Sequence, residues 1–250
     1  MSSTIDLEIL RYGALEQYTA TAVDFEATDS PATTRVASFR AFESVHRGHS
    51  QVQRGHIRPA GSSDDAAPIS GICKLTMTHL SELRDEAELY ATKLRDLQGK
   101  DVPICYGYFE CQALDSDDRK RTMGCLILED CGAALDWELQ DAPEDIQYVT
   151  SFHVLLVLSL TLDFRIEIVQ ALDRIHVAGV QHNDIKPDNI VVTDSSHVRI
   201  IDFGLAMHHN CKRRLHIDVY DYQPFKYKFG CYEMYEVVQT LGLWTPSEYG

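Results

Sequence analysis

Apolar residues recur along this chain with changing spacing, and each change predicts a different element. To about residue 60 the polarity is mixed, with scattered Thr, Ser and Ala and no dominant period, so no element is assigned there. Gly61-Ser-Ser-Asp-Asp-Ala-Ala-Pro68 is small, polar and rich in turn formers, and reads as a surface loop. Ile69 to Met77 suits a short strand with Lys74 inside it. From Leu80 to Leu97 the spacing turns helical: Leu83, Ala87, Tyr90, Leu94 and Leu97 share a face opposite the charges, and Gly99 supplies a stop. Val102 to Glu110 and Gly124 to Leu128 read as two strands around the loop Asp115 to Arg121. A long helix is expected from Arg165 to Ala178, closed by Gly179. Two short apolar runs follow, Asn189 to Val192 and Val198 to Ile201. Cys231 to Leu243 returns to helical spacing, with Met234, Val237, Val238 and Leu241 on its buried side. Strand, helix, then further strands is an α+β order.

Composition narrows the function classes. At 250 residues, with 44% hydrophobic and 24% charged content, the chain is an ordinary globular length and make-up. The formal charge of −15 argues against a nucleic-acid footprint, which needs a basic face to displace counterions. It leaves room for a basic peptide partner. The seven cysteines form no C-x-x-C pair, so neither zinc-site spacing nor a disulfide scaffold is expected, and reduced thiols of a cytoplasmic or nuclear protein are the simplest account. No basic-then-apolar leader opens the chain. The apolar run Phe152 to Leu162 is shorter than the roughly 20 residues a membrane helix needs, so no membrane partner is expected. The longer segment Val149 to Arg165 interrupts a smooth passage from Glu144–Tyr148 into the helix at Ile166. It is either one more buried helix or sequence retained from an intron.

The chemistry concentrates in His182-Asn-Asp-Ile-Lys-Pro-Asp-Asn189 and Val198-Arg-Ile-Ile-Asp-Phe-Gly204. Pro187 enforces an extended or turned backbone after Lys186, so Asp184 and Lys186 stand on a loop and can face one cleft. A hairpin turning through Thr193–Ser196 brings Asn189 beside Asp202, and two hard oxygen donors there suit Mg²⁺. His182 to Asn189 resembles the protein-kinase catalytic loop H-R-D-x-K-x-x-N, and Asp202-Phe203-Gly204 is an intact D-F-G at the family's spacing. The helix end Ile175, His176, Gly179, Val180 fits the same pattern. The resemblance implies ATP and Mg²⁺ as cofactors, with Asp184 as catalytic base, Lys186 neutralising the transferring phosphoryl group, and Asn189 and Asp202 holding the metal. It further implies that Lys74 grips the phosphates and pairs with Glu86, with Glu88 as the rival. Leu126 to Gly132 resembles the inter-lobe hinge, where backbone groups of Glu129 and Cys131 meet adenine and Leu128 backs the pocket.

The resemblance covers roughly residues 70 to 205 and frays at both ends. The implied fold is one two-lobed kinase-like domain over 1–250. Its N-lobe, a sheet plus one helix, runs over 1–130 with 1–68 matching poorly. A shortened, mainly helical C-lobe runs over 131–250. No G-x-G-x-x-G precedes Lys74, since Gly48, Gly55 and Gly61 are scattered, and no A-P-E follows Gly204. The catalytic-loop arginine is Asn183, which removes the residue that reads a phosphorylated activation loop. The compact form resembles truncated kinase-like proteins of fungal genomes. Three functions are open: phosphoryl transfer to a protein Ser/Thr hydroxyl, transfer to a small-molecule acceptor of the choline or aminoglycoside type, and a pseudokinase that only binds partners.

Overall fold

A computed structural model describes residues 4–25, 36–47, 50–63, 66–132, 134, 161–193 and 197–246. The chain divides into two compact units: residues 1–98 with 103–130, and residues 99–102 with 131–250. The architecture is the α+β, two-lobed kinase-like class expected, with a sheet-rich first unit and most helices in the second.

The first unit corrects the reading of residues 1–60. That stretch is not elementless: it forms β1 (Thr4–Arg11), β2 (Ala14–Ala22), β3 (Val36–Arg47) and β4 (Gln51–Pro59). They join β5 (Ile69–Thr76), β6 (Cys105–Leu114) and β7 (Lys120–Glu129) in a closed barrel of order β1-β2-β6-β7-β5-β4-β3. The signal was present in β1, where Ile5, Leu7 and Ile9 alternate with polar residues and all point inward. The β1–β2 hairpin closes the barrel. β1 runs parallel to β3 (Leu7 opposite Phe39), and β2 runs antiparallel to β6 (Thr21 opposite Glu110). Closure leaves neither of those edges as an open template.

The interior is packed by Ile5, Leu7, Ile9, Phe39, Ile57, Met123 and Ile127, with Cys73, Cys111 and Cys125 behaving as small apolar groups. The buried Gln53 on β4 accepts from Leu10 N–H at 2.8 Å and donates to Leu10 O at 2.6 Å, so its amide is satisfied against β1. Gly55 is required for packing rather than for cradling phosphate. A Cβ there would lie 2.5 Å from Arg40 O and 2.5 Å from Phe39 Cζ. Gly48 lies outside the described residues.

One helix, α1 (Leu80–Ala91), packs on the outer face of β5, β6 and β7. It is shorter than expected, because the chain leaves the helix at Thr92 and makes a separate 3-10 turn at Arg95–Leu97. Leu94 is nonetheless fully buried.

The second unit is built on α2 (Leu162–Val177), capped by Thr161, whose hydroxyl accepts from Phe164 N–H at 3.4 Å. Residues 162–165 of the interrupting segment are thus the first turn of this helix, and residues 149–160 lie outside the described residues. Short strands follow: β8 (Val180–Gln181), β9 (Ile190–Val192), β10 (Val198–Ile200) and β11 (Met207–His208). β9 pairs with β10, and β8 with β11. A single-turn α3 (Lys226–Phe229) precedes α4 (Tyr232–Thr240), which buries Met234, Val237 and Val238 as the spacing predicts. Arg174 holds Asp101 with two bonds, Nε to Oδ2 at 2.9 Å and Nη2 to Oδ1 at 2.7 Å, and Asp101 O accepts from Ile200 N–H at 2.8 Å. Phe229, Tyr235 and Trp244 form an aromatic cluster with centroids 5.2–5.8 Å apart. Among the described residues, no helix is long and apolar enough to cross a membrane.

Candidate active site

The predicted site residues fall in both units, and each group is built by its own local rules. In the barrel unit, strand alternation decides where Lys74 goes. Its neighbours Cys73 and Leu75 point into the barrel, so Lys74 points out, onto the face that α1 covers. Glu86 sits on the buried face of α1 with Leu83, Ala87 and Tyr90. Lys74 Nζ lies 2.8 Å from Glu86 Oε1 and 2.9 Å from Oε2, with side chains only 11% and 2% exposed. An ammonium at that depth requires a counter-charge. Glu88, the rival partner, is exposed.

At the end of β7, Glu129 N–H donates to Ile104 O at 2.8 Å, and its carboxylate Oε2 accepts from Ile104 N–H at 3.0 Å. The Glu129 N–H is therefore engaged within the barrel unit. Asp130 Oδ2 accepts from Arg54 Nε at 2.9 Å and Ser70 Oγ at 2.7 Å, tying the strand exit to β4 and β5. Leu128 is buried. Cys131 opens the second unit, buried, with Arg199 Nη1 at 3.4 Å from its sulfur.

In the second unit the loop 182–189 is held by a dense polar network. Asp184 Oδ2 accepts from Lys186 Nζ at 2.7 Å and from Asn189 Nδ2 at 2.9 Å, and Asn189 Nδ2 also reaches Asp184 O at 2.8 Å. The proximity of the Asp184 carboxylate raises the Lys186 pKa, so Lys186 stays charged. With its amide nitrogen committed to Asp184, Asn189 keeps its amide oxygen as an acceptor.

Asn189 ends a 3-10 turn, Pro187–Asn189, rather than opening the strand, which starts at Ile190. The hairpin places Ile200 opposite Ile190, and Ile201 N–H extends the ladder to Asn189 O at 2.9 Å. Asp202 therefore follows directly on the residue bonded to Asn189. Residues 194–196 of the expected turn lie outside the described residues, and Thr193 N–H to His197 O at 2.9 Å closes the hairpin below them.

Backbone conformation marks the same place. Asp202 (φ 66°) and Asn183 (φ 64°) both adopt the left-handed region, which Asp and Asn tolerate better than other non-glycine residues. Asn183 uses that turn to donate from Nδ2 to Leu205 O at 3.0 Å, linking the loop to the segment after Gly204. Phe203 is buried edge-on against His182, with centroids 4.8 Å apart.

His182 is fully buried between two partners that fix its tautomer. Nε2 faces Ile201 O at 2.9 Å and so carries the proton, while Nδ1 accepts from Asp184 N–H at 3.2 Å. Burial lowers its pKa against the opposing pull of the Ile201 carbonyl and nearby acids, which keeps the ring neutral.

The residue the sequence did not single out is Glu233 on α4. Its Oε2 lies 2.5 Å from His176 Nε2 and 3.1 Å from His182 N, and its Oε1 lies 2.5 Å from Asn183 N. Burial pushes its carboxyl up, but bonds from His176 and from the Asn183 and His182 amides outweigh that and hold it below the ordinary value. Nothing in a lone glutamate on an amphipathic helix advertises this role, because its partners lie some fifty positions upstream. What the two groups hold is a restrained carboxylate beside an ammonium, an amide oxygen and a carboxylate on adjacent strand ends, and a buried lysine–glutamate pair.

This fold is of the kinase-like class. A family model of the protein kinase domain matches residues 144–223, about a third of the chain. A probable serine/threonine-protein kinase of Streptomyces coelicolor is 48% identical over 46 residues, which is 18% of this chain and 7% of that protein. CBL-interacting serine/threonine-protein kinase 2 of Arabidopsis thaliana is 40% identical over 48 residues, 19% of this chain and 10% of that protein. A longer, weaker match joins 73% of this chain to 20% of phototropin-1A of Oryza sativa, at 25% identity over 200 residues. Over residues 144–223 the chain is similar to the protein kinase domain, and it spans a fifth or less of the length of these relatives.

Proposed function

We propose that this chain is a protein kinase domain that transfers a phosphoryl group from ATP to a Ser or Thr hydroxyl of a protein. The observation that carries the reading is the loop network in which Asp184 is restrained by Lys186 and Asn189, one residue removed from Asp202 along the ladder. The serine/threonine-kinase relatives favour a protein substrate over a small-molecule acceptor. The donor chemistry fits magnesium: the Asn189 amide oxygen and the Asp202 carboxylate are hard oxygen ligands of the kind that leave a cation several waters. Bound ATP·Mg²⁺ supplies the phosphoryl group and neutralises the charge on it.

The remaining work belongs to the chain. Asp184, oriented by its two donors, accepts the proton of the attacking hydroxyl. Lys186 would neutralise charge on the transferring group, and Lys74, steadied by Glu86, would hold the phosphates of ATP. By the resemblance to the kinase hinge, backbone groups of Glu129 and Cys131 would meet adenine. One observation favours a second reading, a non-catalytic binding module: the β3–β4 hairpin ahead of Lys74 carries no glycine-rich sequence.

The experiment is a thermal-shift titration with ATP, with and without Mg²⁺, beside Asp202→Ala, followed by label transfer to a Ser/Thr peptide pool and to choline and aminoglycosides. A Mg²⁺-dependent rise, about 2.7 kcal/mol at a hundredfold excess over Kd, is expected and is lost in Asp202→Ala. Asp184→Asn keeps the shift but slows transfer by roughly 10²–10⁴-fold. A folded chain that shows no shift selects the binding module instead.

A further inference from the structure

We infer that the second unit contains a structural zinc site formed by His176, His209, Cys211 and Cys231, and that Glu233 joins this site to the loop 182–189. The ligand atoms of these four side chains all lie within 4.8 Å of one another. Cys231 Sγ is 3.5 Å from His176 Nδ1 and 3.9 Å from His209 Nε2. With Zn–S of about 2.3 Å and Zn–N of about 2.0–2.1 Å, the edges of a tetrahedral shell are roughly 3.4–3.8 Å. The observed separations need only small side-chain adjustments to close around one ion. Two thiolates and two neutral imidazoles balance a divalent cation, so the loaded site has no net charge to bury. Soft sulfur with imidazole in a four-ligand set selects zinc over magnesium or calcium.

The fold prepares these residues separately. His176 ends α2 on its buried face, and Cys231 is the residue preceding the first turn of α4. His209 N–H donates to Gly179 O at 2.9 Å and extends the β8–β11 pairing, which holds His209 against the end of α2 with ring centroids 4.7 Å from His176. Cys211 follows two residues on. The sequence carries no C-x-x-C spacing; only His209 and Cys211 are near neighbours, and tertiary contact brings His176 and Cys231 to them.

Glu233 supplies the second argument. His176 Nε2 donates to the Glu233 carboxylate, so Nδ1, the nitrogen that faces Cys231, is the bare lone pair a metal takes. A carboxylate behind a ligating histidine is the usual way such a ring is oriented. The same carboxylate receives the His182 and Asn183 amides. Glu233 is thus a positioning residue: it connects the metal shell to the backbone of the loop that carries Asp184. This inference does not rest on phosphoryl transfer, because its readout is metal content.

The test is elemental analysis of the full chain after desalting, with Co²⁺ substitution. We expect about one zinc per chain, and a cobalt form with tetrahedral d–d bands and a thiolate-to-cobalt charge-transfer band. Cys211→Ser and the double variant Cys211→Ser/Cys231→Ser lose the metal and that band, while Cys111→Ala in the barrel keeps both. Glu233→Gln retains the ligands but binds zinc roughly 10–100-fold more weakly. The wild-type stoichiometry stands even if a variant fails to fold. A folded wild-type chain without zinc and without cobalt uptake overturns the inference. So does a Cys211–Cys231 disulfide found by mass spectrometry of the alkylated chain, or a double variant that keeps wild-type zinc.

Discussion

The barrel unit and the loop unit solve the problem of holding a charged side chain in opposite ways. The barrel is a layer of apolar side chains inside seven strands, and a buried ion pair, Lys74–Glu86, sits outside that layer beneath α1. Its geometry follows from burial and strand parity, so the lysine is aimed by the packing of everything around it. The second unit has strands of two or three residues, and two left-handed polar residues, Asn183 within the loop 182–189 and Asp202 after it. There the fixing is done by hydrogen bonds that converge on Glu233, His182 and Asp184. The contrast teaches that the first group of site residues should tolerate polar changes at a distance but not a broken ion pair or a cavity. The second should be sensitive to protons and to any loss of its polar hub.

The largest expected effect breaks the barrel's ion pair. Glu86→Ala leaves the Lys74 ammonium buried without its counter-charge and should cost about 3–5 kcal/mol in urea unfolding. The paired replacement Lys74→Met/Glu86→Leu should recover most of that stability while removing any phosphate grip. If Glu86→Ala is neutral, the pair is not buried as described. Next comes the interior. Leu7→Ala empties a fully buried position on β1 and should cost about 2–5 kcal/mol, whereas Val177→Ala, on a side chain 79% exposed, should stay within about 0.5 kcal/mol. Equal effects would mean that the β1–β2 hairpin does not close the barrel.

The smallest effect belongs to the loop unit and is read by pH. His182 has a folded pKa depressed below 6.5, chiefly by burial, so only the unfolded chain takes up its proton as pH falls through that value. Stability is then complete above about pH 6.5 and falls below it until the folded ring also protonates, by at most about 1.4 kcal/mol per pH unit. The Glu233 carboxyl, held low by its donors, adds in the same direction at more acid pH: its contribution is present above about 4.5 and is lost as pH drops through the folded value. Urea midpoints at pH 7.5, 6.5 and 5.5 measure the slope. His182→Phe should flatten its upper part, and an unchanged slope would remove His182 as the cause.

Legibility differed between the two units for physical reasons. Lys74 could be read as partnered because a charge inside an apolar strand is costly wherever it occurs. Choosing Glu86 over Glu88 needed the helix face, which Leu83, Ala87 and Tyr90 already marked. The alternation of Ile5, Leu7 and Ile9 was also legible, yet the closure of the barrel was not. Nothing local says that β1 runs parallel to β3, across a hairpin and a long connection. The Asp184–Asn189 loop was readable because Pro187 and the short hairpin bring its parts together through nearby chain. Glu233 was not, since its importance lies wholly in whom it meets.

The sequence by itself determined the strands and helices whose periodicity is strong, the order of the candidate site residues, and the need of Lys74 for an acid. These are consequences of alternation, helical spacing and desolvation, all of which act over a few residues. Only the tertiary structure decided that the first sixty residues complete a barrel, that Glu233 ties α4 to the loop, and that His176, His209, Cys211 and Cys231 converge. Those depend on where segments far apart in the chain are packed, and hydrogen bonds and metal ligands reach only across a few ångströms of folded space.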